Sequence, residues 1–437
     1  MFKRKIEAVI ENYVTSKQES VLVIDGARQV GKSFIIRYVC SKYFENYIEV
    51  NLRDDFDGDR LFENVKSTHL FYLQLSALYG NRLGNNENTI IFLDEIQVYP
   101  HLVSMLKPLR YDNRFRYIAS GSLLGVTLKK TFIPMGSIDE YSMYPMDFEE
   151  FLWANGVGEE SINYLRDCFA NIKPVNDSIH RIFLNYFKEF LISGGLPDSV
   201  KAFVEQKNIQ KVRDIQTSIF RYYKDDATQY DMACKLLVSR IYDMMPSYME
   251  NKVKRLEICH VEEKKGVQLD RYRNEFDYLI SSGTAIGVTA ISEPKFPLNL
   301  SESKNLVKLY YNDVGLLTNC LFKNNICAIL NKDNGINLGS VYETVVACEL
   351  KAHGHDLYYF DKRKTGEVDF LINDYDTLSA LPIEVKSGND QANYRAIPKL
   401  VESGCYNIQK GYILGNKNIT ERNGKLITYP VYMMMFI

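Results

Sequence analysis

A glycine-rich segment near the start of the chain has the residue types and spacing of a phosphate-binding loop: Gly26-Ala-Arg-Gln-Val-Gly-Lys-Ser33. Its glycines let backbone N–H groups turn inward around phosphate oxygens, and the helix expected next would direct its positive end at the same charge. We expect Lys32 to reach the β- and γ-phosphates and the Ser33 hydroxyl to bind Mg²⁺. A glycine-rich turn without a ligand is the alternative interpretation. The segment predicts ATP and Mg²⁺ binding by Gly26, Ala27, Arg28, Gln29, Val30, Gly31, Lys32 and Ser33.

Two carboxylates directly follow the apolar run Thr89-Ile-Ile-Phe-Leu93. A buried parallel strand would deliver Asp94 and Glu95 to the carboxyl edge of the sheet, where open α/β sheets bind ligands. We expect Asp94 to hold Mg²⁺ through water and Glu95 to polarise the attacking water. Ser120 ends another strand-like run and is predicted to contact the γ-phosphate or that water, with a simple turn serine as the alternative.

Three arginines are the nearest candidates for a cation that stabilises the transition state of phosphoryl transfer: Arg110, Arg114 and Arg116. Solvated surface arginines are the alternative interpretation.

A second set of residues near the end of the chain could support metal-dependent phosphodiester chemistry. Residues two apart on a strand face the same side, so Glu384 and Lys386 share a face, and Asp369 is expected on a neighbouring strand. Asp369 and Glu384 could share a second divalent ion, Mg²⁺ or Mn²⁺, while Lys386 positions or activates water.

Each of these signals has a structural alternative. Ser340-Val-Tyr-Glu343 reads as a capping box, in which the Glu343 side chain returns to the helix start. A Glu-x-Lys triplet is also typical of a solvated strand face. His353-Gly-His355 is interpreted as a loop after a helix in preference to a metal site.

The elements that would position these groups change along the chain. Apolar runs at 21–24, 47–51, 89–93 and 116–120, separated by helical stretches, predict a parallel sheet with helices on both faces. The pattern from 145 to about 230 is helical. A helix near 340–352 and strands near 357–360, 368–372, 381–385 and 412–414 predict a separate α/β domain. We predict an ATPase core at 1–145, a helical lid at 146–230, a winged-helix-like module at 231–304 and a nuclease-like domain at 305–437.

Composition is that of an ordinary globular protein, with 437 residues, 46% hydrophobic and 25% charged residues, and a net charge of −2. This charge gives no overall attraction to DNA, so DNA binding would need a local basic surface. One candidate lies in the predicted winged-helix module between 251 and 275, with an ordinary solvated face as the alternative interpretation. Its residues are Lys252, Lys254, Arg255, Lys264, Lys265, Arg271, Tyr272 and Arg273. The eight cysteines lack zinc spacing and are interpreted as reduced thiols. Glu7 and Glu11 interrupt any signal peptide and no run could span a bilayer, so we expect a cytoplasmic protein that does not enter the membrane.

Several motifs together resemble a large prokaryotic family of AAA-type ATPases whose C-terminal domain has long been catalogued as of unknown function. Besides the phosphate loop, they are Leu93-Asp-Glu-Ile-Gln97, Ser120-Gly-Ser122, Tyr144-Pro-Met-Asp-Phe-Glu-Glu-Phe-Leu152, Gly194-Gly-Leu-Pro197 and Asp313-Val-Gly-Leu-Leu317. The resemblance spans almost the whole chain. It implies an ATPase core, a helical and winged-helix middle, and a terminal α/β domain similar to the PD-(D/E)xK, restriction-endonuclease-like fold. That fold commonly adds an acid from a helix, and Glu343 matches this place. Many relatives carry a basic residue where this chain has Ser137.

The leading hypothesis is an ATPase that uses its nucleotide state to control a domain directed at double-stranded DNA. The alternative is a nucleotide-gated scaffold or switch that acts on a protein partner, with slow or no hydrolysis and no DNA cleavage. A metal-dependent nuclease in its own right is a third interpretation. A homo-oligomer is another possible state of this chain, because AAA-type sites often take an arginine from a neighbouring copy.

Overall fold

The computed structural model describes residues 2–16, 20–85, 87–122, 136–227, 235–249, 273–330, 337–363, 365–388, 396–402, 404–422 and 424–437. These residues form two compact units. The first comprises Lys3–Tyr144 with Ser281–Gly283, and the second comprises Pro145–Ile280 and Thr284–Ile437.

The first unit is built around a parallel sheet of five strands in the order β2-β3-β4-β1-β5. The elements are α1 (Lys5–Thr15), β1 (Val21–Asp25), α2 (Lys32–Tyr43), β2 (Asn46–Asn51), α3 (Leu52–Asp57), α4 (Thr68–Tyr79), β3 (Thr89–Asp94), α5 (Pro100–Tyr111), β4 (Arg116–Gly121) and β5 (Ile138–Ser142). This order confirms the predicted parallel sheet. It also places the carboxyl ends of β1, β3 and β4 at one edge.

Both faces of this sheet are buried, as the uninterrupted apolar runs predict. Every residue of β3 is buried. One face packs into a core with side chains of α4 and α5, among them Phe71 and Leu106, and the alternate residues, such as Phe92 and Ile118, are buried on the other face. Strand β5 was not predicted. Because it is an edge strand and largely exposed, it has no apolar run to reveal it.

The second unit begins with helices, as predicted from residue 145 onward. They are α6 (Phe148–Ala154), α7 (Glu159–Ala170), α8 (Asp177–Ser193), α9 (Pro197–Gln206), α10 (Ile209–Ala227) and α11 (Lys235–Met249). The side chain of Asp147 caps α6 by accepting the Glu150 N–H at 2.9 Å, which is a capping box with Glu150.

An eight-stranded mixed sheet occupies the rest of this unit, in the order β12-β13-β11-β10-β9-β8-β6-β7. Its elements are α12 (Arg273–Ser281), β6 (Ala285–Ile291), β7 (Glu302–Tyr311), α13 (Val314–Phe322), α14 (Cys327–Leu330), α15 (Gly339–Ala352), β8 (Tyr358–Lys362), β9 (Gly366–Asp374), β10 (Ser379–Val385), α16 (Ala396–Glu402), β11 (Gly411–Gly415), β12 (Thr420–Arg422) and β13 (Leu426–Pro430). The predicted strands of the last domain correspond to β8, β9, β10 and β11.

The hairpin assigned in sequence to a winged-helix module has a different place in the fold. Strand β6 pairs antiparallel with β7 and parallel with β8, so it extends the large sheet. A period-two pattern identifies a strand but does not say which sheet it joins. Of the proposed basic surface, only Arg273 lies within the described residues, where it begins α12. The winged-helix module stays a prediction.

No helix in the described ranges is both long and apolar enough to cross a membrane.

Candidate nucleotide site and carboxylate cluster

The phosphate loop joins the end of β1 to the start of α2 and needs unusual backbone angles. Gly26 has φ 144°, Gln29 has φ 64° and Gly31, the N-cap of α2, has φ 97°. A Cβ added at Gly26 would lie 2.1 Å from the Met143 carbonyl oxygen. Glycine at 26 is therefore required by space as well as by backbone conformation.

Lys32 is buried within the loop, where its Nζ donates to the carbonyl oxygens of Gly26 and Ala27, each at 2.8 Å. Burial lowers the pKa of Lys32, and the negative charges of Glu95 and Asp25 oppose that shift. Asp25 was not singled out from the sequence, although its place at the carboxyl end of β1 is the signal that could have found it.

Asp94 contacts the other predicted magnesium ligand, Ser33, and also contacts Ser120. Its Oδ2 accepts the Ser33 hydroxyl at 2.8 Å, and its Oδ1 accepts the Ser120 hydroxyl. Burial raises the pKa of Asp94, while the hydrogen bonds from Ser120 and Ser33 act in the opposite direction. The structure thus joins the hydroxyl and the carboxylate on which magnesium binding would depend, and it gives Ser120 a contact that positions Asp94.

Glu95 adopts the left-handed conformation, with φ 56°, immediately before a 3₁₀ turn at Ile96–Val98. Its Oε2 accepts the Ser122 hydroxyl at 2.9 Å and also the Gln97 side-chain amide. Arg28 Nε approaches the same hydroxyl at 3.4 Å. Sequence reasoning missed these side-chain roles of Ser122, Gln97 and Arg28. All three lie within motifs that the sequence identifies, but the sequence does not show that these side chains lie close to Glu95.

The three arginine candidates lie away from this site. Arg116 begins β4 and donates to the Val14 carbonyl oxygen at 2.7 Å, whereas Ser120 lies near the opposite end of the same strand. A six-residue strand spans roughly 16 Å. Arg114 immediately precedes this strand and contacts the rings of Tyr72 and Phe115, and Arg110 lies near the end of the preceding helix. These arginines lie toward the amino edge of the sheet, which favours the alternative interpretation of surface arginines for this chain's own phosphate site.

The donor set of this unit fits ATP with magnesium. The loop can present backbone N–H groups, Lys32 can supply a cation, and Ser33 and Asp94 supply the oxygen ligands that Mg²⁺ prefers.

In the second unit, Asp369 and Glu384 come together on neighbouring antiparallel strands. The register pairs Phe370 with Ile383, which sets Asp369 beside Glu384. Asp369 Oδ2 accepts the Val385 backbone N–H at 2.8 Å, and Glu384 Oε1 lies 2.6 Å from Lys386 Nζ. The predicted two-strand arrangement is thus formed.

These groups are buried and electrostatically coupled. Burial first, and then the negative charge of Asp369, raise the pKa of Glu384 to about 8, although Lys386 opposes the shift. Burial disfavours the charged form of Lys386, but Glu384 and Asp369 outweigh it and raise its pKa. Glu384 Oε2 is buried and has no hydrogen-bond partner among the described residues. Such an oxygen favours a cationic ligand or a proton.

Glu343 lies on α15 close enough to contribute to the electrostatics of Glu384. Its Oε2 accepts the Tyr310 hydroxyl from β7 at 3.1 Å. The alternative interpretation, a capping box with Ser340 as the N-cap, does not match the start of the helix. The helix begins at Gly339, and its N-cap is Leu338, whose side chain makes no capping hydrogen bond.

Three carboxylates therefore gather near Lys386, but their oxygens do not all converge on one point. Among the described residues, the only three potential metal ligands with atoms within 4.8 Å of one another are Asp147, Glu349 and His353.

Comparisons with known families match three successive parts of the chain. Residues 18–152 match an AAA domain, residues 184–325 match a domain of unknown function, DUF8612, and residues 338–433 match another, DUF4143. No curated protein matches the chain significantly.

Solved structures resemble the chain at low identity and low TM-score. A Walker-type ATPase of Pyrococcus abyssi has 13% identity and TM-score 0.43, over 74% of this chain and 96% of its own. The ORC1 protein of Aeropyrum pernix in complex with DNA has 13% identity and TM-score 0.28, over 75% and 92%. The RuvB Holliday junction branch migration motor of Thermotoga maritima has 12% identity and TM-score 0.31, over 70% and 92%.

The phosphate loop, the Asp94–Glu95 pair at the sheet edge and the family match to residues 18–152 together identify the N-terminal part of this chain as an AAA-type P-loop ATPase domain.

Proposed function

We propose that the chain is a Mg²⁺-dependent ATPase whose nucleotide state controls a DNA-directed, nuclease-like C-terminal domain. The observation that carries the ATPase half is the hydrogen-bonded set of Ser33, Asp94 and Ser120 beside Lys32. The observation that carries the second half is the buried coupling of Asp369, Glu384 and Lys386.

In the ATPase reaction, the loop amides and Lys32 bind the phosphates, and Ser33 and Asp94 would hold the magnesium ion. Bound magnesium would neutralise charge on the β- and γ-phosphate oxygens. Glu95 accepts a hydrogen bond from the attacking water and so orients its oxygen toward the γ-phosphorus. Ser122 and Gln97 keep the Glu95 carboxylate at one position through their hydrogen bonds to Oε2. Ser120 acts through Asp94, because its hydroxyl donates to that carboxylate.

In the C-terminal domain, Asp369 and Glu384 are proposed to hold a second divalent ion, Mg²⁺ or Mn²⁺. The raised pKa of Glu384 means that its charged form needs a cation, and a bound divalent ion would supply one. Lys386 lies 2.6 Å from Glu384 and can orient water toward a DNA phosphate. The negative charge of Glu343 also raises the pKa of Glu384, by less than that of Asp369.

One observation favours the alternative function, a nucleotide-gated scaffold or switch that acts on a protein partner and does not cleave DNA. The Glu343, Asp369 and Glu384 oxygens do not converge as closely as the potential ligand atoms of Asp147, Glu349 and His353. A domain whose carboxylates are grouped this loosely could bind a partner without cleaving DNA. A homo-oligomer is part of both proposals, since the candidate arginines lie away from this chain's own phosphate loop.

The first experiment compares ATP hydrolysis by the wild type and Glu95→Gln with magnesium, with and without double-stranded DNA. We expect the substitution to lower the rate at least ~100-fold, because the water loses its acceptor, while ATP binding persists. Glu45→Gln is the matched control, since Glu45 is an exposed carboxylate in the same unit. Equal rates in Glu95→Gln and the control would refute the role of Glu95. Stimulation by DNA supports coupling, and its absence favours the scaffold.

The second experiment incubates DNA with the full chain and Mn²⁺ or Mg²⁺. We expect cleavage by the wild type and by Asp376→Asn, whose carboxylate is exposed nearby in sequence, but not by Asp369→Asn. Intact DNA in every reaction, together with DNA-independent ATP hydrolysis, would contradict the nuclease proposal and leave the nucleotide-gated scaffold.

A further inference from the structure

A second group of potential metal ligands lies in the same unit as the carboxylate cluster but shares no residue with it. Asp147 immediately precedes α6, while Glu349 and His353 lie at the end of α15 and just after it. One ligand atom of each residue lies within 4.8 Å of the other two. The three side chains are 5%, 1% and 14% exposed, respectively.

The distances between these atoms fit ligands that share an ion. His353 Nε2 lies 3.5 Å from Asp147 Oδ2 and 3.8 Å from Glu349 Oε1. Two ligand atoms bound tetrahedrally to Zn²⁺ at ~2.1 Å stand ~3.4 Å apart. A strong charge-assisted hydrogen bond would instead bring nitrogen and oxygen to roughly 2.8 Å.

The other ring nitrogen of His353 is held as a metal-binding histidine requires. Nδ1 lies 2.8 Å from the Ile437 backbone oxygen. A carbonyl oxygen can only accept, so Nδ1 carries the proton and donates it. In the neutral ring, Nε2 is then a lone-pair donor directed at the two carboxylates. Metal-ligating histidines in proteins commonly have this second hydrogen bond to a backbone carbonyl.

The carboxylates are oriented by backbone N–H groups in a similar manner. Asp147 Oδ1 accepts the Glu150 N–H at 2.9 Å, which leaves Oδ2 toward His353. Glu349 accepts the Phe148 N–H with Oε1 at 3.3 Å and Oε2 at 3.1 Å. These bonds fix the positions of the two carboxylates relative to His353.

We propose that Asp147, Glu349 and His353 bind one transition-metal ion of the Zn²⁺ class, which joins the start of α6 to the end of α15. One imidazole and two carboxylates are a donor set suited to such an ion, with water in the remaining position. This site is separate from the proposed nuclease ion. His353 directly follows α15, as the interpretation of a loop after a helix expected, and the proposal adds a metal-binding role to that position. It also does not depend on the proposed function.

The test is calorimetric titration of the full chain with Zn²⁺, without nucleotide or magnesium. We expect the wild type to bind one equivalent more than His353→Gln, or to bind it at least ~10-fold more tightly. His355→Gln is the matched control, because it removes the other imidazole of the same loop. X-ray absorption at the zinc edge should show imidazole scattering in the wild type and the control, which distinguishes this ion from one held only by carboxylates.

Asp147→Asn provides a variant that keeps the fold, because asparagine caps helices as well as aspartate does. It should lose the same equivalent. Identical zinc stoichiometry and affinity in the wild type, His353→Gln and Asp147→Asn would overturn the proposal, as would the absence of any zinc binding by the wild type. Either result would mean that a proton and hydrogen bonds, without a metal ion, hold the three side chains together.

Discussion

Replacing Glu384 by glutamine should stabilise the second unit increasingly as the pH rises. Burial and Asp369 raise the pKa of Glu384 from its ordinary value of 4.5 to about 8. A carboxyl group with a raised pKa in the folded state favours folding most below 4.5, and this contribution is lost as the pH rises through about 8. The shift of about 3.5 pH units corresponds to about 5 kcal/mol as an upper bound.

Relaxation and water entry reduce such penalties, so we expect the advantage of Glu384→Gln over the wild type to grow by ~2–4 kcal/mol between pH 5 and pH 8.5. The ionic contact with Lys386 forms only as Glu384 ionises, and its effect is already contained in the pKa of about 8, because Lys386 lowers that value. The loss of this contact in Glu384→Gln is therefore part of the expected pH dependence and not a separate offset.

The assay is urea unfolding at several pH values, followed by tryptophan fluorescence. The chain has a single tryptophan, Trp153 in α6, so the signal reports on the second unit. Glu421→Gln is the control, because Glu421 is exposed. A difference between Glu384→Gln and the wild type that stays constant across this pH range would refute the reasoning. Added Mn²⁺ should shrink the difference at high pH if an ion binds Glu384 in the folded state.

Three further predictions follow from single contacts. Gly26→Ala should weaken ATP binding at least ~10-fold, measured by calorimetry, because its Cβ would meet the Met143 carbonyl oxygen at 2.1 Å. Ser122→Ala should lower kcat roughly 5–10-fold with little change in KM, measured by steady-state hydrolysis, because Glu95 loses one of the donors that position it. Asp313→Ala should lower the free energy of unfolding by ~2–4 kcal/mol in urea titrations, because this buried carboxylate caps α13 and accepts further backbone N–H groups.

Each of these three predictions has a control variant or a result that would contradict it. A Cβ added at Gly158 would meet nothing within 4 Å, so Gly158→Ala should leave ATP affinity unchanged. A KM that rises while kcat stays constant in Ser122→Ala would mean that Ser122 contributes to binding and does not position Glu95. Asp198→Ala removes an exposed carboxylate and should change the unfolding free energy by less than ~1 kcal/mol, so an equal loss in both aspartate variants would count against the Asp313 account.

Asp94 and Glu384 show the same physical arrangement in different units. Burial raises the pKa of both carboxyl groups, and neighbouring donors or cations oppose the shift. A buried carboxylate in this condition favours a cation over water as its partner. This is the reason that both positions are proposed to bind divalent ions, although the two sheets differ in topology.

Much of the nucleotide site was determined by sequence alone. The phosphate loop depends on local backbone conformation, since Gly26 and Gly31 adopt positive φ within a short segment. The strand ending at Asp94 is fully buried, and an uninterrupted apolar run predicts that burial directly. The partnership of Asp369 with Glu384 also followed from strand periodicity, because residues two apart share a face and adjacent antiparallel strands pair them.

Tertiary structure decided the contacts between residues far apart in the chain. The Tyr310 hydroxyl donates to Glu343, and β6 extends the large sheet by pairing with β8. Asp147 meets Glu349 and His353 across some two hundred residues of sequence, as the 3.5 Å contact between His353 and Asp147 shows. Local periodicity states which face of an element is apolar, but packing alone selects which faces meet. Long-range polar contacts therefore could not be read from spacing.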